Sequence, residues 1–319
     1  MERRPQRQRR LSKPVISVGN LSMGGTGKTP VVAAIAEWLI GAGYRPSILT
    51  RGYGREDALD GVVVIDGATP VSQTGDEPLM LARRLRGATV CVSPDRYLGG
   101  VLAEKLGCDI HLLDDGFQHV ELARQLDILV TTVGEIPNGR VIPLGRLREP
   151  MDAAARAHFL VVTDATAGAA SAEAWTLGIS QSCGSRRTLG APVAVSDQGS
   201  GLRDQGSGIR DQGSGIGDRG VLAVAGIASP DRFIISVKDA GWNVVDSMTF
   251  ADHHRFSARD LDAIASKMTR AGASAVFTTD KDAVRFTSLA PWFPLYRVPL
   301  VVEFDPPHAL FESVKAVLG

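Results

Sequence analysis

The chain has 319 residues, 44% of them apolar and 22% charged, with 35 basic side chains against 35 acidic ones. That supply of apolar surface suits one large or two ordinary cores, and the balance excludes both a wholly disordered chain and a general polyanion binder held by a global basic field. Three scattered cysteines, Cys91, Cys108 and Cys183, are too few for a disulfide framework or a four-ligand zinc site and point to a reducing, cytosolic setting.

Residues 1–13 form a basic arm, with Arg3, Arg4, Arg7, Arg9, Arg10 and Lys13 against Glu2 alone. It reads either as a solvated tail or as a segment attracted to anionic lipid, at about 1 kcal/mol per cation near the surface. It is not a secretory signal, because only the short run Pro14 to Val18 follows before a glycine loop. No apolar run reaches the ~18 residues that a bilayer-spanning helix needs. From Val15 the chain alternates short apolar runs with stretches of helical length. Strands are expected at Val15 to Val18, Ser47 to Thr50, Val62 to Ile65, Thr89 to Val92, Ile110 to Leu113 and Ile128 to Thr131. Helices are expected at Pro30 to Ile40, Glu77 to Leu85 and Leu98 to Leu106. Continuous apolar strands in a βαβ rhythm predict a parallel sheet covered on both faces.

A second α/β series runs through Val221 to Ala225, Asp231 to Ala240, Val244 to Met248, Ala258 to Ala271 and Ala275 to Thr278, as a second domain or a continuation of the first sheet. Between the two series a tandem repeat, DQGSGLR-DQGSGIR-DQGSGIG, fills Asp197 to Gly217. Two glycines per copy exclude a coiled coil, so it reads as a flexible insertion. The expected organisation is a core domain over 14–190, the insertion over 197–217, and a smaller α/β lobe over 220–319.

Ser22-Met23-Gly24-Gly25-Thr26-Gly27-Lys28-Thr29 sits between the first strand and the first helix. This is the setting in which glycines let backbone N–H groups turn inward around a phosphate. The helix N-terminus adds positive potential, Lys28 reaches the β and γ phosphates, and the Thr29 hydroxyl can ligate Mg²⁺. Ser22 replaces the leading glycine of the strict pattern. Asp114 and Asp115, at the end of the Ile110 strand, are the expected Mg²⁺ ligand and its support. Asp76, at the turn-to-helix junction Gly75-Asp76-Glu77-Pro78, is a candidate proton acceptor, with Glu77 capping the helix. Two functions fit these residues: a kinase acting on a small acceptor, or a P-loop switch ATPase working through a protein partner.

The motifs Val18 to Pro30, Arg51-Gly-Tyr-Gly54, Gly75 to Pro78, Asp95-Arg96, Asp114-Asp-Gly-Phe-Gln-His119, Asn138-Gly-Arg140 with Leu147-Arg-Glu149, Asp252-His-His254 and Thr279-Asp-Lys-Asp282 occur in one order along the chain. Together they closely resemble the tetraacyldisaccharide 4'-kinase (lipid A 4'-kinase) family. The resemblance implies a P-loop NTPase-like parallel-sheet core with a smaller C-terminal α/β lobe. It also implies ATP- and Mg²⁺-dependent transfer to the 4' hydroxyl of a tetraacylated glucosamine disaccharide 1-phosphate, giving lipid IVA in lipopolysaccharide biosynthesis. Peripheral contact with the cytoplasmic face of the bacterial inner membrane is implied too, with no nucleic-acid partner. Carried onto this sequence, Lys28 and Thr29 hold phosphates and metal, Asp76 is the acceptor base, Asp114 and Asp115 organise Mg²⁺, and a histidine of the Asp252 motif works with Asp76. His253 is favoured over His254 for that role. Glu77, Gln118, His119, Arg148 and Glu149 are expected to line the cleft, and Arg51, Arg96, Arg140 and Arg148 are candidates for gripping phosphate. Each arginine taken singly also suits a surface ion pair.

Overall fold

Runs of β-branched and aliphatic residues that carry no polar alternation can lie only where both faces are covered. In the computed structural model, which describes residues 8–52, 61–66, 69–195, 220–286 and 289–319, they become strands, buried throughout at the centre of the sheet and partly exposed toward its edges. The first are β1 (Val15–Gly19), β2 (Pro46–Thr50), the edge pair β3 (Val63–Val64) and β4 (Thr89–Val92), and β5 (Ile110–Asp114). Then follow β6 (Leu126–Thr132), β7 (Phe159–Thr163) and β8 (Ser182–Leu189). With β14 (Leu300–Asp305) they form one nine-stranded sheet in the order β14-β8-β7-β6-β1-β5-β2-β4-β3. Pairing from β4 through β8 is parallel, and β3 closes one edge antiparallel. β1 lies between β5 and β6, with Val18 opposite both Asp114 and Ile128. The chain lays strands to either side of β1, and in such sheets ligands bind beyond the carboxyl ends at that switch.

Helix α1 (Lys28–Gly41) buries Val31, Val32, Ile35, Ala36 and Leu39 against Ile16, Val18, Ile48 and Ile128 on one face of the sheet. The other face is covered in two patches. One gathers Leu21, Phe117, Leu129, Leu160 and Val162. The second places Val15, Leu49, Cys91 and Leu113 with Ala103 of α4 (Arg96–Lys105). Helices α2 (Val71–Thr74), α3 (Asp76–Arg84) and α5 (Ala167–Leu177) complete this part of the chain. All three cysteines are buried thiols, and burial pushes Cys91 and Cys183 up to about 12.

The chain divides into two compact units, Met1–Arg187 with Val302–Gly319, and Thr188–Val301. The second series therefore builds a separate sheet. Its order is β11 (Val244–Thr249), β10 (Val221–Ala225), β12 (Ala275–Thr279), β13 (Leu295–Val298) and β9 (Val193–Ala194). The first four pair in parallel and β9 antiparallel. Helix α6 (Pro230–Asp239) covers one face with Phe233 and Val237, and α7 (Ala258–Ala271) covers the other with Leu261 and Ile264. The short α8 (Asp280–Phe286) follows β12 directly.

Two features differ from the expected organisation. The smaller lobe does not run to Gly319: α9 (Ala309–Leu318) sends Leu310 and Val314 into the core beneath α1, where Phe311 stacks on Trp38 at 5.3 Å between ring centroids. Its apolar stripe needs a covered surface, and the α1 face of the first sheet supplies one. Nor is the distal part of the basic arm a solvated tail. Arg9 donates to both carboxylate oxygens of Asp95 at 2.8 Å, its guanidinium lies 4.6 Å from the Tyr97 ring centroid, and its backbone pairs with Glu121 and Ala123. Arg3, Arg4 and Arg7 lie outside the described residues, as does the Asp197 to Gly217 repeat.

Candidate active site

The loop between β1 and α1 has the backbone its glycines permit. Gly27 sits at φ 90, a left-handed conformation costly for any side chain, and precedes α1 with no side-chain cap. The first helical N–H groups are thus left to a ligand, with the helix dipole favouring an anion there. Ser22, where the strict pattern has glycine, is buried, and its hydroxyl donates to Glu135 Oε1 at 2.7 Å. Asn20 donates to Ser22 Oγ at 3.3 Å and to Thr26 Oγ1 at 3.1 Å, bracing the loop from inside. Arg146 donates Nε and Nη2 to the Met23 carbonyl at 3.0 and 2.7 Å. Neither Glu135 nor Arg146 stood out in the sequence; the only signal was their position in the Gly134-Glu135 turn and two residues before Arg148.

The turn after β5 meets this loop. Gly19 can have no side chain, because a Cβ there would fall 2.6 Å from the Phe117 backbone nitrogen. Asp115, at φ 52, is the residue that bends the chain back. Its carboxylate lies 3.6 Å from Lys28 Nζ and accepts from Arg148 Nη1 at 3.0 and 2.8 Å. Arg148 also donates to Gln118 Oε1 at 3.1 Å, while Gln118 donates to Glu149 at 3.1 Å and to the Asn20 carbonyl at 2.9 Å. Lys28, Asp115, Gln118, Arg148 and Glu149 are thus one network. Within it Arg148 is the ion-pair partner of the part-exposed Asp115, which is the ion-pair reading its sequence setting allowed.

Asp114 is buried beside this network. Desolvation, then the charges of Glu77 and Asp115, push its carboxyl up to about 7 against the opposing pull of Lys28 and Arg96. Acidic groups so crowded have a deficit of positive charge, which a divalent cation with phosphate and water ligands would remove. Among the described residues no three His, Cys, Asp or Glu side chains form a ready-made metal cage. That suits Mg²⁺, a cation commonly held by one or two carboxylates plus substrate phosphates, and Asp114, buried among acidic charges, is a carboxylate that could hold it. Asp76 and Glu77 open α3, preceded by Gly75 at φ 81 with no side-chain cap. The expected capping role for Glu77 is therefore absent, and its charge acts on Asp114 instead.

A second cluster lies along the same edge, after β2, β4 and β5. Arg96 is 2% exposed and donates Nη2 to the Asp114 carbonyl at 3.2 Å, yet its Nε and Nη1 have no partner among the described residues. Burial, then the like charge of Arg51, lowers it to about 10. His119 is 8% exposed with Nε2 unpartnered. Burial and the charges of Arg96, Arg51 and Arg124 bring it down to about 4. The expectation of a surface ion pair for Arg96 is wrong: Asp95 caps α4 and pairs with Arg9, leaving the Arg96 guanidinium inside. Arg140 is exposed, and His111 is a core residue, 2.7 Å from Ser47 Oγ.

In the second unit the two histidines of the Asp252 motif part company. His254 stacks on Phe250 at 4.7 Å, meets Phe256 edge-on, and lies 3.2 Å from Asp260, which closes the capping box of α7 with Ser257. Its ring is held at the corner by this aromatic and carboxylate packing. His253, at φ 60, is exposed, with Nε2 3.2 Å from Lys281 Nζ and Nδ1 3.3 Å from Arg285 Nη2. Thr279 and Asp282 cap α8 through mutual hydrogen bonds of 3.0 and 2.8 Å.

The whole chain, residues 1–319, matches the sequence model of one family, described as LpxK: Tetraacyldisaccharide-1-P 4'-kinase. It is 38% identical over 316 residues to the tetraacyldisaccharide 4'-kinase of Geobacter sulfurreducens, covering 97% of this chain and 85% of that one. The chain belongs to the tetraacyldisaccharide 4'-kinase family. The kinase of Koribacter versatilis is 35% identical, with 98% of this chain and 91% of the relative covered. Among solved structures, the "apo" form of LpxK from Aquifex aeolicus in complex with ATP superposes with a TM-score of 0.73 at 28% identity, covering 98% of this chain and 90% of that one. The P-loop fold and the ATP requirement of a tetraacyldisaccharide 4'-kinase thus agree with the Lys28 cradle, and the switch-ATPase alternative is set aside.

Proposed function

We infer that this chain is an ATP- and Mg²⁺-dependent kinase that transfers the γ-phosphoryl group to the 4' hydroxyl of a tetraacylated glucosamine disaccharide 1-phosphate, giving lipid IVA. The observation that carries the reading is the pairing, along one sheet edge, of a phosphate cradle (Lys28 with the bare N-terminus of α1) and a buried guanidinium with two unpartnered groups, Arg96. One holds the donor nucleotide. The other fits a second phosphate, which the acceptor carries at its 1 position, with Arg51 and His119 beside it.

In phosphoryl transfer the protein positions the reactants and neutralises charge. Lys28 and the α1 N–H groups hold the β and γ phosphates, and Arg148 fixes Asp115 so that Lys28 stays aimed. Mg²⁺, when bound, neutralises charge on the phosphates, with Asp114 and Thr29 as its protein ligands. Asp76 accepts the proton of the 4' hydroxyl late in the reaction, when charge has left the attacking oxygen. Of the two histidines of the Asp252 motif, His253 is the one that suits a catalytic role, because His254 is committed to Phe250 and Asp260.

The acceptor is an amphiphile, which supports peripheral contact with a membrane surface, on this reading the cytoplasmic face of the inner membrane. Among the described residues no helix is long and apolar enough to cross a membrane. Exposed Leu144, Ile142 and Val141, near Arg140 and Arg146 in sequence, suit a peripheral contact. ATP consumption by the purified protein tests the reaction: it should be slow alone and stoichiometric with added disaccharide 1-phosphate. Equal consumption with and without acceptor would refute the kinase reading.

A further inference from the structure

The tethered end of the basic arm takes no part in the proposed chemistry, yet it is built against the two elements that carry Arg96 and His119. Arg9 joins them. Its Nη1 and Nη2 donate to Asp95 Oδ2 and Oδ1 at 2.8 Å, one residue before Arg96, and the guanidinium lies over the Tyr97 ring. Its backbone N–H donates to the Glu121 carbonyl and its carbonyl accepts from the Ala123 N–H, both at 2.9 Å, in the turn that carries His119. The neighbouring residues hold Arg9 in place. Gln8 Nε2 donates to the Val120 carbonyl at 3.0 Å, and Leu11 fills the space that a side chain at Gly100 of α4 would need. The Ser12 and Lys13 N–H groups donate to Glu104 at 2.7 and 2.9 Å.

Asp95 has two tasks. Through Oδ1 it caps α4, accepting from the Tyr97 and Leu98 N–H groups at 3.0 and 3.3 Å. A carboxylate has about four lone-pair sites, so the cap alone leaves Oδ2 open to a cation. The nearest cation along the chain is Arg96, whose Nε and Nη1 have no partner among the described residues. Arg9 takes Oδ2 instead, and its guanidinium holds the Asp95 carboxyl below the usual carboxylate range. The Asp95 charge is also felt inside the cluster, where it acts on His119 against Arg96, Arg51 and Arg124. Left uncompensated, that charge would weaken the positive field that an anionic ligand needs.

We propose that Arg9 is a positioning residue for the acceptor's phosphate: by occupying the Asp95 carboxylate from outside, it keeps that charge away from Arg96 and His119 and leaves both to the ligand. This rests on the reading of the Arg96 cluster as the site of the 1-phosphate, and it adds what keeps that site electropositive.

The test is steady-state kinetics of the full-length protein with ATP and two acceptors, the disaccharide 1-phosphate and its analogue lacking the 1-phosphate. Arg9→Ala should raise KM for the first acceptor roughly three- to tenfold, with kcat and KM for ATP unchanged and no effect on the second acceptor. A second substitution separates charge from structure. Asp95→Asn keeps an oxygen for the α4 cap and drops the charge, so the double variant Arg9→Ala with Asp95→Asn should return to the wild-type KM. A merely structural strap would not be repaired by removing the other half of its ion pair. Unchanged KM in Arg9→Ala, equal loss with both acceptors, or no rescue in the double variant overturns the proposal. If Arg96→Gln leaves KM for the 1-phosphate acceptor at the wild-type value, the underlying reading fails instead. Should Arg9→Ala not fold, Asp95→Asn alone decides: a KM at or below wild type supports the role given to Arg9, and a raised KM overturns it.

Discussion

Asp114→Asn is expected to make the nucleotide-free protein more stable above neutral pH while removing its activity. The carboxyl moves from 3.8 to about 7 on folding, chiefly by desolvation and then by repulsion from Glu77 and Asp115. At about 1.4 kcal/mol per tenfold change in proton affinity, this is worth about 4 kcal/mol. The folded state binds the proton more tightly, so the contribution favours folding fully below pH ~4 and is lost as pH rises through ~7. His119 works in the opposite sense: brought down to about 4, it costs stability at low pH and ceases to do so above its ordinary value. The difference between wild type and variant isolates Asp114 from that background. Urea unfolding at pH 5, 6, 7 and 8 without nucleotide should show the variant gaining on the wild type by roughly 2.5 to 3 kcal/mol across the series, the remainder of the effect lying below pH 5. Parallel pH profiles, or a variant less stable at pH 8, would refute the claim that this carboxylate is held at a cost for the sake of a cation.

The remaining predictions concern the division of labour in the site. Asp76→Ala should lower kcat by roughly 10²- to 10⁴-fold with little change in ATP affinity, whereas Lys28→Ala should weaken nucleotide binding itself; equal effects on both parameters in both variants would contradict the assignments. Arg96→Gln should raise KM for the acceptor roughly 10- to 100-fold, the range expected for a charge-assisted hydrogen bond to phosphate. An acceptor lacking the 1-phosphate should bind wild type and variant alike. A persistent difference with that acceptor would remove Arg96 from the phosphate site.

What the sequence conveys depends on how far apart the interacting residues are. The Lys28 loop is legible because strand, glycines and helix are contiguous, and the buried strands β1, β2, β5, β10 and β12 are legible because covered parallel strands carry an unbroken apolar signal. The reason for Ser22 lies 113 residues away in Glu135, and no local pattern announces it. Arg96 reads as one more turn arginine until Asp95 is seen to be taken by Arg9, 86 residues upstream. The return of α9 to the first unit is likewise hidden, since an amphipathic helix states that it needs a surface without naming which. The Asp252 motif was legible as a pair, and only the packing of Phe250, Phe256 and Asp260 around His254 separates its members.

The central claim is that the terminal phosphoryl group of ATP reaches one sugar hydroxyl. The most direct measurement is ¹H–³¹P correlation spectroscopy of the lipid extracted after reaction with ATP and the tetraacylated disaccharide 1-phosphate. A new phosphorus signal coupled to the proton at the 4' carbon, absent with Asp76→Ala, is the predicted result. ATP consumed with only inorganic phosphate released, or a new phosphate coupled to any other ring proton, would contradict it.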